Sequence, residues 1–524
     1  MINKKHTGSY YTPKYLADFI SKRVDAFFVH KNRLSLLEPS VGDGSFIESI
    51  NNTFNKAINL TALDINSVEL KKAKEKWNSN NAIFREIDFL NFKNKNYYDA
   101  IIGNPPYIKK NFLKESQVEA CKEIHFNAEL SEASVKNIWT AFLIKSSRML
   151  NSIGVLAFVL PSELLQVKFA EEIREFLKRE FQRIEIFTFN DLMFECKGQD
   201  TIVLFAYKKA KEKGEFFTNI KSRQDILQNS IQLKKNNLLV ESKVKWTHHF
   251  LTESEISFLN EIKNGLNTVN HYSESKPGIV TAANKFFIVD KKTEKEYNLS
   301  SYTKPVIQKG LFVNGSVVFK EKDFIDLERN NYPTRLLQLN NSDKISKRLN
   351  EYLATGVELE IPQRYKCKIR DNWYVIPNIS TEPEAFFFKR SHHYPKLLKN
   401  EANAFVTDSA YKVNIKEPYD LNSFIYSFYN SITLTFAEID GRYYGGGVLE
   451  LTPNEFKGLP IPYLRIENDA FDRFTIRFEQ KDNIKSLLAE SDNEILGTYL
   501  GLSRNEIERV QLIRNKLVEK RIRK

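Results

Sequence analysis

The chain has 524 residues, 42% of them hydrophobic and 27% charged, which is ordinary for a globular protein of roughly two to four domains. Its formal net charge of +12 favours a polyanionic partner such as nucleic acid. The three cysteines lie far apart, which argues against a disulfide framework or a cysteine zinc site and fits a reducing cytoplasm. Because no secretion signal and no apolar run of about 18 residues is found, we expect a cytoplasmic protein that does not cross a membrane.

The histidines give no sign of a metal site. His248-His249 and His392-His393 are adjacent pairs, and neighbouring side chains of a strand point to opposite faces. We therefore expect these histidines at the surface or facing nucleic acid, and we expect no set of metal ligands.

The first predicted element is a helix near the start of the chain. Thr12 can cap its N-terminus, and Pro13 suits its first position. Leu16, Ile20 and Val24 follow at helical spacing and predict the buried face.

Four predicted strands follow, and each ends in polar residues or in glycine and proline. They cover the ranges 34–37, 60–64, 83–87 and 100–102. In an open parallel sheet the carboxyl ends of the strands line one crevice, where ligands bind. We therefore expect an α/β domain with a ligand site at this edge of the sheet.

Two of these strand ends indicate a nucleotide-like ligand. Gly42 and Gly44 follow the first strand and permit close approach of the backbone to a ligand, although a lone Gly-x-Gly pair is a weak signal. Asp64 comes about 20 residues later, at the place of the ribose-binding acid in doubly wound nucleotide sites. The sequence contains no Gly-x-x-x-x-Gly-Lys, which excludes a P-loop.

The fourth strand stops at Gly103, and the tetrad Asn104-Pro105-Pro106-Tyr107 follows it. The prolines have fixed φ angles and no N–H, so the carbonyl groups near Asn104 remain available as acceptors. A side-chain carbonyl and a backbone carbonyl can together accept both hydrogens of one planar NH2 group, and Tyr107 offers a ring face for stacking. A surface turn is the alternative interpretation, because Asn-Pro commonly opens a turn.

Three more strands and a helix complete this part of the chain. A helix begins near Asn137, and apolar runs at 154–161, 184–189 and 201–207 predict the strands. We expect the last two strands to form a hairpin at the edge of the sheet. The charge-rich stretch 208–215 is predicted to be a linker or a solvated face.

In order and spacing, these motifs resemble those of the gamma-class DNA adenine-N6 methyltransferases of type II restriction-modification systems. The resemblance covers residues 7–208. It implies a Rossmann-like, S-adenosylmethionine-dependent methyltransferase domain with a mostly parallel seven-stranded sheet, followed by a mixed α+β target-recognition domain. The motifs that carry it are Tyr10-Tyr11-Thr12-Pro13, Leu37-Glu38-Pro39-Ser40-Val41-Gly42-Asp43-Gly44, Asp64, Asp88-Phe89 and Asn104-Pro105-Pro106-Tyr107.

The resemblance also implies which residues hold S-adenosyl-L-methionine. The opening motif would touch the methionine end, the glycine loop would wrap the methionine and the sugar, and the next two strand ends would bind the ribose and the adenine. The implied cofactor-binding residues are Tyr11, Thr12, Pro13, Glu38, Pro39, Ser40, Gly42, Asp43, Gly44, Asp64, Asp88, Phe89, Pro106 and Phe142. For Phe142, packing in the core is an equally good interpretation.

Four residues are implied to act on the target base, which must be flipped out because its N6 atom cannot be reached inside a duplex. Asn104 and the Pro105 carbonyl would accept the two N6 hydrogens, while Tyr107 would stack on one face of the base. Phe194, in the loop between the last two strands, would stack on the other face. The family usually has a proline after this aromatic residue, where this chain has Glu195.

The alternating pattern is lost in the second half of the chain. We predict a methyltransferase domain at 1–235, a DNA target-recognition domain at 236–465 and a helical segment at 466–524. Strand-like runs in the second half are found at 278–280, 286–289 and 373–377. Basic and aromatic residues alternate at 386–390 and 442–447, which suits nucleic-acid contact or ordinary core and turns.

The final predicted element is a helix with a capping box formed by Ser503 and Glu506. Its apolar face is formed by Ile507, Val510, Ile513 and Leu517. It ends in the basic residues 520–524, which we expect to be solvated or bound to phosphate.

The resemblance predicts partners as well: double-stranded DNA as substrate, action as a monomer, and a separate restriction endonuclease as functional companion. Several alternatives remain open. Cytosine-N4 methylation of DNA is one, although the family more often has serine at the first tetrad position for that base. RNA and protein glutamine amides are others, because the tetrad requires only a planar NH2 group.

Overall fold

The computed structural model describes residues 12–94, 97–190, 200–227, 231–236, 245–313, 315–377, 379, 381–444, 446–481 and 483–522. The chain forms two compact units. The first contains the residues up to Glu253 together with 444–446, and the second contains 254–443 and 447–522. No helix within the described ranges has both the length and the apolar character needed to span a bilayer.

Strands and helices alternate along the first unit. Its strands are β1 Arg33–Glu38, β2 Ala57–Asp64, β3 Ala82–Glu86, β4 Tyr98–Gly103, β5 Leu150–Pro161, β6 Arg183–Phe189, β7 Thr201–Tyr207, β8 Gly214–Ile220 and β9 Lys234–Lys235. Its helices are α1 Lys14–Phe27, α2 Ser45–Thr53, α3 Ser67–Glu75, α4 Glu115–Asn127, α5 Ile138–Arg148, α6 Glu163–Gln166, α7 Glu171–Glu180 and α8 Arg223–Leu227.

These strands form a single mixed sheet in the order β3-β2-β1-β4-β5-β7-β6-β8-β9. β1 to β4 are parallel to all their neighbours, β5 is parallel to β4, β7 is antiparallel to β5 and β6, and β8 is parallel to β6. The predicted α/β class with a mostly parallel sheet is confirmed.

Two details of the predicted sheet are wrong. Over the described residues the sheet has nine strands rather than seven, and the β6–β7 pair lies inside it because β8 and β9 continue beyond β6. β8 buries Phe216 and Phe217, but the charged stretch before it obscures the apolar signal in the sequence.

Apolar clusters cover both faces of the sheet. Leu36 and Ile102 belong to the cluster that includes α1 and α2, whereas Leu37 and Ile101 belong to the cluster that includes α4 to α7. Strands buried on both faces appear in sequence as continuous apolar runs, which is why β1 and β4 are predictable.

The core of the first unit continues past residue 235. Trp246 is only 1% exposed and belongs to the same apolar cluster as Phe217, with the ring centroids 6.2 Å apart. The residues around Trp246 are therefore part of the fold of the first unit.

The second unit mixes shorter strands with helices. Its strands are β10 Asn267–Thr268, β11 Ser273–Pro277, β12 Ile288–Val289, β13 Thr303–Ile307, β14 Val318–Phe319, β15 Arg335–Leu337, β16 Ala385–Phe388, β17 Arg390–Ser391, β18 Lys396–Asn400, β19 Phe405–Val406, β20 Ala410–Ile415, β21 Arg442–Tyr444, β22 Val448–Glu450 and β23 Pro460–Ile461. The larger sheets have the orders β11-β20-β16-β18-β14 and β12-β15-β13-β19.

Helices separate these strands and dominate the end of the chain. They are α9 Glu253–Asn264, α10 Val269–Tyr272, α11 Asn284–Phe287, α12 Lys291–Glu296, α13 Glu321–Arg329, α14 Lys347–Glu358, α15 Tyr365–Lys368, α16 Leu421–Phe428, α17 Ser431–Asp440, α18 Pro453–Lys457, α19 Asn468–Glu479, α20 Ile484–Asp492, the π-helix Asn493–Tyr499 and α21 Arg504–Ile522. The mixed composition agrees with the predicted α+β character.

Several local predictions for the second unit are wrong. The run 278–280 forms only a single bridge between Ile279 and Thr407, the run 286–289 is half helix, and 373–377 is a turn region. Residues Phe386–Phe388 are fully buried in β16, which pairs with strands on both sides. Their aromatic rings therefore form core rather than a nucleic-acid contact.

The final helix is predicted correctly, but the expectation for Arg521 in its basic end is wrong. The Ser503 N–H donates to Glu506 at 2.8 Å, and the four apolar residues named above are buried. Arg521, however, is buried and forms an ion pair with Glu438 at 2.7 Å instead of reaching solvent or phosphate.

Candidate functional site

Three strand ends of the first unit meet through hydrogen bonds at one edge of the sheet. The backbone N–H of Gly42, after β1, donates to Asp64 Oδ2, at the end of β2, at 2.9 Å. The Ser40 hydroxyl donates to the backbone carbonyl of Asn104, after β4, at 3.4 Å. Asn104 Nδ2 in turn donates to Thr12 Oγ1 at 3.2 Å.

Thr12 does not cap α1 as predicted. The helix begins at Lys14 with Pro13 as its N-cap residue, and the Thr12 hydroxyl binds Asn104 instead. The opening motif therefore contacts the tetrad directly. Tyr11 and Phe194, the other predicted residues of this region, lie outside the described residues.

The loop after β1 depends on its glycines. Gly42 and Gly44 have φ angles of +52° and +78°, a region that favours glycine. A Cβ atom at Gly44 would lie 2.9 Å from the Ala73 Cα, so a side chain there would collide with α3. Asp43 accepts from the N–H and the hydroxyl of Ser45, which fixes the loop where α2 begins.

Glu38, at the end of β1, is the most unusual group of the site. Its side chain is 1% exposed, and neither carboxylate oxygen has a hydrogen-bond partner among the residues that the structure describes. Burial, reinforced by the charges of Asp43 and Asp64, raises the pKa of Glu38 well above its usual range. A buried carboxyl without a partner is costly, which indicates that a ligand supplies the missing donor.

Asp64 is held more conventionally. In addition to the Gly42 contact, its Oδ1 accepts from the Asn66 N–H at 2.8 Å. Burial raises the pKa of Asp64, while these backbone hydrogen bonds oppose the shift. The carboxylate is thus oriented by the backbone.

The segment that follows β3 forms an aromatic wall. Phe89 is buried and packs against Phe142 with ring centroids 4.8 Å apart. The Lys145 ammonium donates to the Phe89 carbonyl at 2.8 Å, and burial lowers the pKa of this lysine to about 8. Asp88 accepts from the Leu90 N–H and from the Gln117 side chain, at 2.9 and 2.8 Å. Both rings belong to the core, so the core interpretation of Phe142 is supported.

The tetrad is rigidly supported by the segment before α5. The Lys110 N–H donates to the Lys136 carbonyl at 2.9 Å, and the Ile138 N–H donates to the Ile108 carbonyl at 3.0 Å. Tyr107 lies in the apolar core cluster and is 7% exposed. A ring held in this way has little freedom to rotate away from a stacked partner.

Asn137 is a candidate residue that sequence reasoning did not assign to the site. It lies opposite Lys109 in the bridge that supports the tetrad. It is 6% exposed, and within the described part of the chain its Oδ1 has no hydrogen-bond partner. The available signal is an asparagine at the start of a helix, a pattern that ordinarily indicates a cap.

The first unit contains the predicted site residues that the structure describes, and it brings most of them to one sheet edge. Among the described residues, no group of three or more histidine, cysteine, aspartate or glutamate side chains could hold a metal ion. At this edge of the sheet, buried acceptor groups lie next to the glycine turn, beside the Asn104 carboxamide and the two prolines that follow it.

Comparison with known proteins identifies relatives for both parts of the chain. A family model described as "Eco57I restriction-modification methylase" matches residues 20–194, and one described as "Type II methyltransferase M.Eco57I, C-terminal domain" matches residues 243–496. The type II methyltransferase M.AccI of Acinetobacter calcoaceticus is 25% identical over 515 residues, covering 94% of this chain and 91% of the relative. M.BanIII of Aneurinibacillus aneurinilyticus is 24% identical over 470 residues, covering 74% and 79%.

Among solved structures, the type IIL restriction-modification enzyme MmeI in complex with DNA has a TM-score of 0.58 at 10% identity, covering 97% of this chain and 76% of that chain. At this identity the match shows a shared fold. Both family models and both relatives are described as restriction-modification or type II methyltransferases, and the two models together match residues 20–194 and 243–496 of this chain.

Proposed function

We propose that this protein transfers a methyl group from S-adenosyl-L-methionine to the N6 amino group of a flipped adenine in duplex DNA. The observation that carries the proposal is the junction of Asn104 with Thr12 and Ser40, which joins the tetrad to the glycine loop. A transfer between a cofactor and an amine requires that the two binding sites be adjacent. The relatives named as type II methyltransferases add support.

S-adenosyl-L-methionine is the cofactor of this family, and when bound it supplies an electrophilic methyl group. The residues present fit this molecule. The buried Glu38 carboxyl can accept from its donor groups, and the backbone-oriented Asp64 can accept from ribose hydroxyls. The positive φ angles of Gly42 and Gly44 shape the turn against which the ligand would lie.

The tetrad can activate an exocyclic amine, whose lone pair is otherwise delocalised into the ring. The contact from Asn104 Nδ2 to Thr12 fixes the carboxamide so that its oxygen lies on the other side from Thr12. That oxygen and the Pro105 carbonyl would accept both N6 hydrogens and draw the nitrogen towards tetrahedral geometry. Acceptors already in position also stabilise the positive charge that develops on the nitrogen.

Two rings would hold the flipped base during transfer. Tyr107 is fixed by the core, and Phe194 is proposed as the opposing ring. Stacking on such rings contributes roughly 1–3 kcal/mol per base. Pro106 would complete the wall between the base and the cofactor.

Each part of the chain would have its own function. Residues 1–235 would carry methyl transfer, 236–465 would recognise the DNA target, and 466–524 would support the recognition part. The protein would act as a monomer and protect DNA from a separate restriction endonuclease. The net charge of +12 agrees with a DNA substrate.

The test is to express the protein and its Asn104→Ala variant in a host that lacks DNA methylation and to map modified bases by single-molecule sequencing. We expect N6-methyladenine in one short sequence motif with the wild type and none with the variant. N4-methylcytosine in place of N6-methyladenine would replace the proposed base. An unmodified genome, together with methyl transfer to RNA or to a protein glutamine, would refute the proposed substrate class.

A further inference from the structure

The second unit carries an open groove of about 730 Å³ that no predicted site residue lines. One wall is the segment 277–280, which begins at the last residue of β11, and the other includes Tyr365, Lys366 and Ile369 of the segment around α15. Lys412 of β20 also lines it. The groove lies entirely within the second unit.

The segment 361–370 has an unusual sequence for a surface turn. It reads Ile-Pro-Gln-Arg-Tyr-Lys-Cys-Lys-Ile-Arg, with four basic residues at alternate positions from Arg364 to Arg370 and no acidic residue. Cys367, in its middle, is fully buried in the apolar cluster of this unit. The buried Cys367 side chain therefore anchors the segment to the core of the second unit.

Its two arginines are used for structure. Arg364 Nη1 donates to the Ala282 carbonyl at 3.1 Å. Arg370 donates to the Thr281 carbonyl at 3.0 Å and to the Trp373 carbonyl at 3.1 Å. These bonds fasten the segment to the residues that follow the opposite wall of the groove, so its geometry is fixed before any ligand arrives.

Four other side chains of the segment are exposed: Tyr365, Lys366, Lys368 and Ile369. Tyr365 is 79% exposed and Ile369 is 68% exposed, which is unusual for large apolar side chains so close together. Lys366 and Lys368 are exposed, and neither forms an ion pair with any residue in the described ranges. An exposed apolar patch flanked by lysines favours a negatively charged partner over a neutral one.

A further concentration of positive charge comes from the sheet. Lys412 lies directly opposite Lys276 in the β11–β20 pair, and like charges in this position repel. Burial and this neighbouring charge lower the pKa of Lys412. Asp371 is the acidic residue among those that line the groove. A polyanion in the groove would relieve the repulsion.

We propose that this groove and the exposed segment beside it form a DNA-contact surface, in which Lys366 and Lys412 of the groove lining and the neighbouring Lys368 bind backbone phosphates of the duplex while Tyr365 and Ile369 reach the bases or sugars. Phosphate contacts fix the register of a protein on DNA, and exposed rings and apolar groups beside them read or stack on the bases. This inference rests on the proposed function and names the surface of the second unit that serves it.

The test uses the full-length protein and the double variant Lys366→Glu/Lys368→Glu. The matched control is Lys292→Glu/Lys295→Glu, which makes the same charge change on exposed lysines of α12 away from the groove lining. Binding to a labelled duplex containing the methylated motif is measured by fluorescence anisotropy at several salt concentrations. Cofactor binding and the melting temperature are measured for all three proteins.

We expect the groove variant to bind the duplex at least tenfold more weakly, and the slope of its salt dependence to fall by about 0.9 for each phosphate that it no longer neutralises. The control should bind within twofold of the wild type, and the cofactor affinity and melting temperature of both variants should be unchanged. Tyr365→Ala, which removes an exposed ring without a charge, should lower the rate of methylation or relax the recognised motif.

Equal DNA binding by the groove variant and the control, with wild-type methylation by Tyr365→Ala, would overturn the inference and leave the proposed function standing. A wild-type protein that neither binds nor methylates DNA would overturn both. The two failures are therefore distinguishable in one set of measurements.

Discussion

The two units organise their candidate surfaces in opposite ways. In the first unit, the ends of β1, β2 and β4 meet because parallel strands of one sheet end at the same edge, and backbone hydrogen bonds hold the side chains there. In the second unit, the groove is built from irregular segments that arginine side chains tie together. A regular sheet can be predicted from local sequence, whereas a groove of loops cannot.

The sharpest way to test this contrast is to remove the central side chain of the first surface. Asn104→Ala removes one acceptor of the amine, and we expect loss of detectable methyl transfer with cofactor binding retained. DNA binding should also persist, since it would depend on the second unit. A tritiated-methyl assay and calorimetry measure the two effects. Transfer within tenfold of the wild type would refute the assignment of Asn104.

A second test separates the units physically. A fragment of residues 1–253 should fold and bind cofactor without sequence-specific DNA binding, whereas 1–235 should be markedly less stable. The reason is Trp246, which the shorter fragment lacks; removal of a buried tryptophan costs about 3–5 kcal/mol. Urea denaturation compares the fragments, and equal stability would show that the residues after 235 do not belong to the first core.

The first unit also contains a buried histidine network that should respond to pH. His125 contacts Ser134 Oγ at 2.6 Å and Thr140 Oγ1 at 2.9 Å, and burial lowers its pKa to about 4 while Glu172 opposes the shift. Because the unfolded state binds the proton more readily, stability should fall as the pH drops from about 6.5 to about 4, by about 3 kcal/mol in total.

The measurement for this network is the free energy of unfolding across that pH range for the wild type and His125→Gln. The variant should lose part of the pH dependence and start from a lower stability at neutral pH. An identical pH slope in both proteins would mean that other groups cause the acid sensitivity.

Substitution of Glu38 should have a more moderate effect, and it should change protein stability and cofactor affinity in opposite directions. Glu38→Gln removes a buried ionisable group that has no partner among the described residues, so the apo protein should be at least as stable as the wild type. Its affinity for S-adenosyl-L-methionine should fall by roughly 10- to 100-fold, the equivalent of removing one charged hydrogen bond. Calorimetry and thermal unfolding test both statements, and a fall in melting temperature with unchanged affinity would contradict them.

The smallest expected effect concerns Phe194. Phe194→Ala should reduce turnover on duplex DNA because it removes stacking worth on the order of 1–3 kcal/mol, with little change in melting temperature. 2-Aminopurine at the target position should fluoresce strongly with this variant and weakly with the wild type. A large drop in melting temperature with turnover intact would identify Phe194 as a core residue.

The sequence is most informative where chemistry and regular structure coincide. The buried runs of β1 and β4, the glycines of the loop and the position of Asp64 each follow from local rules. The prediction that Thr12 caps α1 is wrong, because a Thr-Pro pair before a helix is typical of a cap and only the tertiary fold brings Asn104 to Thr12. Asn137 escapes prediction for the same reason.

The second unit resists prediction because its apolar and aromatic runs have several possible structures. Phe386–Phe388 looks like an aromatic surface beside basic residues, but pairing on both sides makes it a central strand. Arg521 looks like part of a solvated tail, but it forms an ion pair with Glu438, which lies 83 positions away in sequence. Such partners are set by tertiary packing, which local patterns do not contain.

The pairing of β10 with β23 has a consequence for engineering. Asn267 pairs with Ile461 and Thr268 with Pro460, so the first and last strands of the second unit are hydrogen-bonded partners. A chimaera that exchanged only part of this unit with a relative would combine two halves of one interlocked structure that did not evolve together. Crossover points placed near residue 253, with everything that follows exchanged as a block, keep every such pair within a single parent.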